Sequence, residues 1–243
     1  LANGKVDFRC RYVKTERYLA ERKARRRLAG KYRNGYTDAP ELAGLDRDNT
    51  GNTSAFWHHG RLYALREDSV PMELDPATLE TRGYAEFKPR LQTQSMTAHP
   101  KIDPVTGEWW SYGQYCRKEY RNEMALTVFD RQGNLVRQEE LRMPYNGVCH
   151  DFAMTREHAI FTVMPLTVDV ARMKAGGDFY AWDPSVQPMY GVMPRSGTTK
   201  DIRWFEVPGA MIAHFMNAWS EGDKVFVDGF AAPGNSFAFF NDV

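Results

Sequence analysis

Cysteine is scarce: the 243 residues contain three, Cys10, Cys116 and Cys149, an odd number without CxxC spacing. Neither a disulfide framework nor a zinc knuckle is indicated, and reduced, mostly structural thiols are expected. Long apolar runs are lacking as well. No window approaches the roughly 18 uninterrupted apolar residues of a membrane-spanning helix. The first residues, LANGKVDFRC, do not have the charged-then-apolar build of a signal peptide. A cytoplasmic location is the expectation. An excess of charge of one sign is also missing, because the net charge is +1, so any basic character is local.

What is present is a globular composition, 42% apolar, 26% charged and 13% aromatic, which can bury a substantial core and argues against disorder. Residues 9–33 hold eleven Arg and Lys against Glu16 and Glu21, a local +9 that leaves −8 for the rest of the chain. This stretch carries the one convincing helix pattern. Thr15 can cap TERYLAERKARRRLAG, whose interior is mostly good helix formers, and Gly30 can close it. Polar almost all round, it reads as a solvated surface helix. No aromatic-interleaved ribbon or nucleic-acid motif accompanies the arginines, so no nucleic-acid partner is expected.

From Ala55 onward the pattern becomes short apolar or alternating runs, such as AFWHHGRLYALRED, GEWWSYGQY, EMALTVFDRQGNLVRQEEL, HAIFTVMPL and EGDKVFVDGF. Turn signals separate them at Asp75-Pro76, Asp103-Pro104, Gly133-Asn134 and Asp183-Pro184. These are the marks of an all-β chain. One short helix is expected in LTVDVARMKAGG, starting after Thr167 and ending at Gly176.

Three of the six histidines open or cross an apolar run: His99 in SMTAHPKID, His150 in GVCHDFAMT and His214 in MIAHFMNAW, with separations of 51 and 64 residues. Propeller blades of four strands repeat every roughly 40–50 residues, so the gaps suit one histidine per blade with loop insertions. If each blade sends its inner strand along a common axis, imidazoles distant in sequence meet there and can hold iron, copper or zinc. His58, His59 and His158 sit at turn edges beside charged residues and are assigned to structure or solvent.

Taken in order, KVDFRCRYVKTERYLAERKARRRLAGKYRN, HHGRLYALREDSVPMELDPATLET, TAHPKIDPVTGE, PYNGVCHDFAMT, RMKAGGDFYAWDP and HFMNAW resemble the carotenoid cleavage oxygenase family, and within it the stilbene-cleaving lignostilbene dioxygenases. The resemblance covers nearly the whole chain. It implies a seven-bladed β-propeller, of which residues 1–243 form part as a single domain, with a non-haem Fe(II) on the axis held by four histidines. His99, His150 and His214 fall on the first three ligands. Glu67, in LREDS, falls on the first of the glutamates that hydrogen-bond the outer nitrogen of a ligand histidine, and His150 is its expected partner. Such a carboxylate fixes the tautomer and raises the basicity of the imidazole. The fourth histidine and the other glutamates are expected beyond Val243, and a glycine-rich GDGM segment before Leu1, which makes the chain about half a family member.

In the lignostilbene dioxygenases a tyrosine and a lysine reach the substrate phenol. Tyr32, in GKYRN, matches the tyrosine, and Arg66 occupies the lysine position. A guanidinium stabilises a phenolate in a forked geometry but stays protonated and cannot accept a proton. The other reading of Arg66 is a surface ion pair with Glu67 or Asp68. The reaction implied is the addition of O₂ across the double bond of a stilbenoid or phenylpropanoid, giving two aldehydes. An apolar tunnel should hold the alkene, and Phe215, Trp57, Phe152 and Tyr145 are candidates for its lining or for blade core. The partners are then O₂ and a small aromatic alkene, and a homodimer is compatible. Two alternatives stay open: an apocarotenoid-cleaving oxygenase, and a non-catalytic propeller whose histidines pack and whose basic helix docks an acidic partner.

Overall fold

The computed structural model describes residues 4, 6–43, 45, 50–114, 120–237 and 239–243. Cys116 lies outside them, while Cys10 is an exposed and Cys149 a buried free thiol. The chain begins with a solvated helix, α1 (Glu16–Ala24), none of whose residues is buried. Thr15 caps it by accepting from the Tyr18 N–H at 3.2 Å. The helix ends well before Gly30. Arg25 takes the left-handed conformation (φ 53°), and the Glu21 carboxylate then accepts from the Leu28 and Ala29 N–H groups at 3.0 and 3.1 Å. Turning the chain there buries Leu28, which a continuous polar helix would have left in water.

The remainder is mostly β. β1 (Ser54–His58), β2 (Arg61–Leu65), β3 (Met72–Leu74) and β4 (Thr81–Tyr84) form one antiparallel meander. β5 (Lys101–Ile102), β6 (Trp109–Gln114), β7 (Glu123–Phe129) and β8 (Leu135–Arg142) form the next. In the third sheet β9 (Phe152–Met154) and β10 (His158–Val163) are followed by an insertion made of β11 (Leu166–Val168), the helix α2 (Val170–Lys174) and β12 (Tyr180–Trp182). β13 (Met189–Pro194) and β14 (Arg203–Glu206) then complete it, in the order β14-β13-β10-β9. A long hairpin, β15 (Met211–Glu221) and β16 (Lys224–Ala232), forms a further, two-stranded sheet. These are blades of a propeller. The insertion is why His150 and His214 are farther apart in sequence than His99 and His150. The expected helix after Thr167 starts later, because Thr167 pairs with Ala181 in the β11–β12 ladder and Asp169 is the cap.

Turn chemistry repeats from blade to blade. Asp75 Oδ1 accepts from the Ala77 and Thr78 N–H groups, Asp103 Oδ1 from Val105 and Thr106, and Asp130 Oδ1 from Gln132 and Asn134. Each such aspartate closes a loop between antiparallel strands. Apolar clusters lock the sheets face to face. Tyr63 and Leu65 pack with Trp109 and Phe129 between the first two sheets, and Tyr112, Leu126, Phe152 and Phe161 pack between the second and third. Ala153, Ile160 and Ile212 join the third sheet to the hairpin. Each large side chain so buried contributes about 1.5–3 kcal/mol.

Candidate metal centre

Each of the three singled-out histidines sits at an inner sheet edge: His99 before β5, His150 before β9, and His214 within β15. β15 is irregular there, with register shifts against β16 on both sides of Phe215. Such bulges re-aim side chains. Gly229 on β16 permits this one, since a Cβ there would stand 2.6 Å from Ile212 Cγ2 and 3.2 Å from the His214 carbonyl oxygen. The His150 segment is held from the second blade. Tyr112 Oη donates to the Cys149 carbonyl at 2.9 Å, and Gln114 accepts from the Cys149 N–H at 3.0 Å. Thr97 Oγ1 accepts from the His99 N–H at 3.1 Å.

The three rings meet. His150 Nε2 lies 3.1 Å from both His99 Nε2 and His214 Nε2, and one nitrogen from each residue falls within 4.8 Å of the others. Two imidazole nitrogens bonded at about 2.1 Å to one ion, at right angles, stand about 3.0 Å apart. The donor set therefore fits a first-row transition ion. Protonation states agree. Burial first, and the neighbouring His150 second, push His99 down to about 4 and lower His214, so both rings are neutral donors near pH 7.

Glu67, in the connection between β2 and β3, places Oε2 2.6 Å from His150 Nδ1. A carboxylate only accepts, so Nδ1 carries a proton, and in the neutral ring the Nε2 lone pair faces the other two rings. Burial opposes the charged form of both groups. For Glu67 it is outweighed by the His150 hydrogen bond and by Arg33, which hold the carboxyl at about 2. In His150 the same hydrogen bond and the glutamate charge win, and its pKa is raised. Among the described residues no other carboxylate hydrogen-bonds a ring nitrogen of these three histidines.

The residue that sequence reasoning missed is Arg33. Its Nη1 donates to Glu67 Oε1 and to Tyr180 Oη, both at 2.8 Å, and its guanidinium lies 4.8 Å from the Phe179 ring centroid. The available signal was its place beside Tyr32 in KYRN. Two dipeptides face each other here: Arg33 holds Glu67, while Arg66 Nη2 donates to Tyr32 Oη at 3.0 Å. Arg66 also donates to Asn52 Oδ1 at 3.1 Å and lies 3.4 Å from Asp68 Oδ2, so it makes both the tyrosine contact and the ion pair. Burial raises the Tyr32 pKa, which keeps its hydroxyl a donor.

Of the four aromatic candidates, Phe152 lies in the blade core and Tyr145 and Phe215 are partly buried against it. Phe152 is fully buried, the Tyr145 hydroxyl lies 2.8 and 2.9 Å from the Val163 and Gln187 carbonyls, and Phe215 packs against the Ile160 and Ile212 cluster. Trp57 lies on β1, half-exposed. His58 stacks on Phe56 and binds the Gly107 carbonyl at 3.1 Å, apart from the triad. No helix among the described residues is long and apolar enough to cross a membrane.

Comparison with known proteins gives this arrangement its context. The family model described as retinal pigment epithelial membrane protein (RPE65) matches residues 1–243. The chain is 44% identical over 226 residues to an isoeugenol monooxygenase of Pseudomonas putida, covering 93% of this chain and 47% of that protein. It is 40% identical over 244 residues to lignostilbene-α,β-dioxygenase isozyme III of Sphingomonas paucimobilis, covering 99% and 50%. The crystal structure of Pseudomonas brassicacearum lignostilbene dioxygenase superposes with a TM-score of 0.90 at 38% identity, over 96% of this chain and 48% of that one. The chain thus spans about half the length of the curated relatives it matches. With the match running from Leu1 to Val243, the chain belongs to the RPE65 family of carotenoid cleavage oxygenases, enzymes that cleave carbon–carbon double bonds at a non-haem iron.

Proposed function

We propose that this chain supplies three of the ligands of an Fe(II) centre, His99, His150 and His214, in an oxygenase that cleaves the double bond of a phenolic stilbenoid or phenylpropanoid into two carbonyl products. Residues 1–243 act in it as a single propeller domain. The observation that carries the reading is the convergence of three imidazoles with one of them backed by Glu67. Iron would supply the reactivity toward triplet O₂ that closed-shell side chains lack. Neutral ligands suit iron, and histidine is a common partner for it.

The chain's own residues do the rest. Glu67 keeps the His150 proton on Nδ1 and so presents Nε2 as a donor. Arg33 keeps Glu67 ionised and turned toward His150. Tyr32 and Arg66 form a donor pair: because Arg66 occupies a lone pair of the Tyr32 oxygen, the phenolic proton of Tyr32 is available to a substrate oxygen. Neither group accepts a proton near neutral pH, so the pair binds a phenolate and does not generate one. Electron density released from the phenolate into the conjugated alkene favours attack by oxygen, and the tether fixes where the alkene lies.

The test is cleavage of 4-hydroxystilbene and isoeugenol by the iron-loaded intact protein under ¹⁸O₂, with products read by mass spectrometry. Labelled aldehydes, lost together with iron retention in His150→Ala and His214→Ala, are expected. Full iron occupancy in either variant, or no carbonyl product from either alkene, contradicts the proposal.

A further inference from the structure

Among the described residues adjacent blades share no backbone ladder, so something else must set their offsets where three ligands from three sheets have to meet. Asp151 crosses both boundaries. Its side chain is 3% exposed. Oδ1 accepts from Lys101 Nζ at 2.7 Å and from the Phe152 N–H at 2.8 Å, and Oδ2 accepts from the Phe215 N–H at 3.0 Å. Those three donors stand two residues after His99, two after His150 and one after His214. A single buried carboxylate is thus bonded beside every imidazole of the triad, once in each of three sheets.

We propose that Asp151 is a positioning residue for the metal centre, setting the three histidines in register across the blade boundaries; the inference rests on the metal-centre reading above. The reason is geometric. Ligand atoms must be held to within about 0.5 Å for productive binding, and among the described residues the stems of His99 and His214 have no hydrogen-bonded strand in common. Lys101 balances the carboxylate charge and lies 5.5 Å from the Phe152 ring centroid. All three hydrogen bonds to Asp151 are then made without leaving an uncompensated buried charge.

The substitution Asp151→Asn cannot keep all of them. If its oxygen serves Lys101 and the Phe152 N–H, its NH₂ faces the Phe215 N–H, donor against donor; flipped, it opposes the ammonium. The experiment uses the intact apo protein titrated with Co(II) and followed by visible absorption, with circular dichroism to establish folding. Wild type, D151N and the double variant D151N/K101M are compared. The double variant preserves net charge and removes the orphaned ammonium, so it serves if D151N does not fold, and it separates positioning from simple attraction of a cation. Expected are affinities weaker by about 10–100-fold in both variants, with an altered Co(II) band. A wild-type affinity and band in either folded variant, even with a lowered melting temperature, overturns the proposal. A wild type that binds no Co(II) overturns the metal-centre reading, and this inference with it.

Discussion

Replacing Glu67 by glutamine is a nearly isosteric change whose consequence is fixed by its two neighbours. Arg33 is a pure donor, and its Nη1 sits 2.8 Å from Oε1, so the amide oxygen of the substituted side chain has to face Arg33. The amide NH₂ is then turned toward His150 Nδ1, 2.6 Å from the atom it replaces. Nδ1 must now accept, and the single ring proton of a neutral imidazole moves to Nε2, the nitrogen that lies 3.1 Å from His99 and His214. The ligand lone pair is lost unless the amide gives up Arg33. Outer hydrogen-bond partners of metal-bound histidines are typically worth about 10–100-fold in affinity, or about 1.4–2.7 kcal/mol, and the tautomer change puts E67Q at the upper end. Co(II) titration of the intact apo protein measures the affinity, and ¹⁵N NMR of the imidazoles reads the tautomer. A dissociation constant within about twofold of wild type, with the proton still on Nδ1, would refute the reasoning.

Further outcomes follow from the same geometry. Arg33→Met leaves a buried carboxylate without its main cation. Arg33 and Glu67 side chains are only 10% and 13% exposed, so a loss of about 3 kcal/mol in urea unfolding is expected, and a change under about 1 kcal/mol would contradict a structural role for the pair. Arg66→Lys restores a side chain that can accept a proton. Turnover of 4-hydroxystilbenes by the intact enzyme should rise, and unchanged or lower turnover argues against a phenol site. Glu73 is held below the usual carboxylate range, first by its hydrogen bond with Arg61 and then, after opposing burial, by Arg82. A depressed folded-state pKa gives stability that is complete above the unfolded value of about 4.3 and is lost as pH falls through the folded one. The melting-temperature gap between wild type and Glu73→Gln should therefore be widest near neutral pH and shrink on acidification; a gap independent of pH would show that the ion pair contributes nothing.

Much of this architecture is written locally. The Asp-Pro turns at 75 and 103 and the alternating or wholly apolar strands between them need only short-range chemistry, which is why the β character was legible. His99, His150 and His214 stood out because each opens or crosses an apolar run. What the sequence leaves open, a distant partner decides. The first helix stops at Ala24 because Glu21 captures the backbone of Leu28 and Ala29, and no propensity signals that. Thr167 joins a strand because Ala181 is there to pair with it. Arg33 looks like one more cation in a basic stretch until Glu67 and Tyr180, 34 and 147 residues away, are placed against it. Phe152 and Tyr145 carry the same aromatic signature in a core as in a tunnel, and only burial and hydroxyl partners separate the two.

Anomalous diffraction at the iron edge, from crystals of the iron-loaded intact protein, tests the central claim most directly. A single strong peak about 2.1–2.3 Å from Nε2 of His99, His150 and His214 is the expected result, at distances typical of first-row metal–imidazole bonds. A peak elsewhere, or none near these three rings in a protein shown by elemental assay to hold iron, would contradict the account.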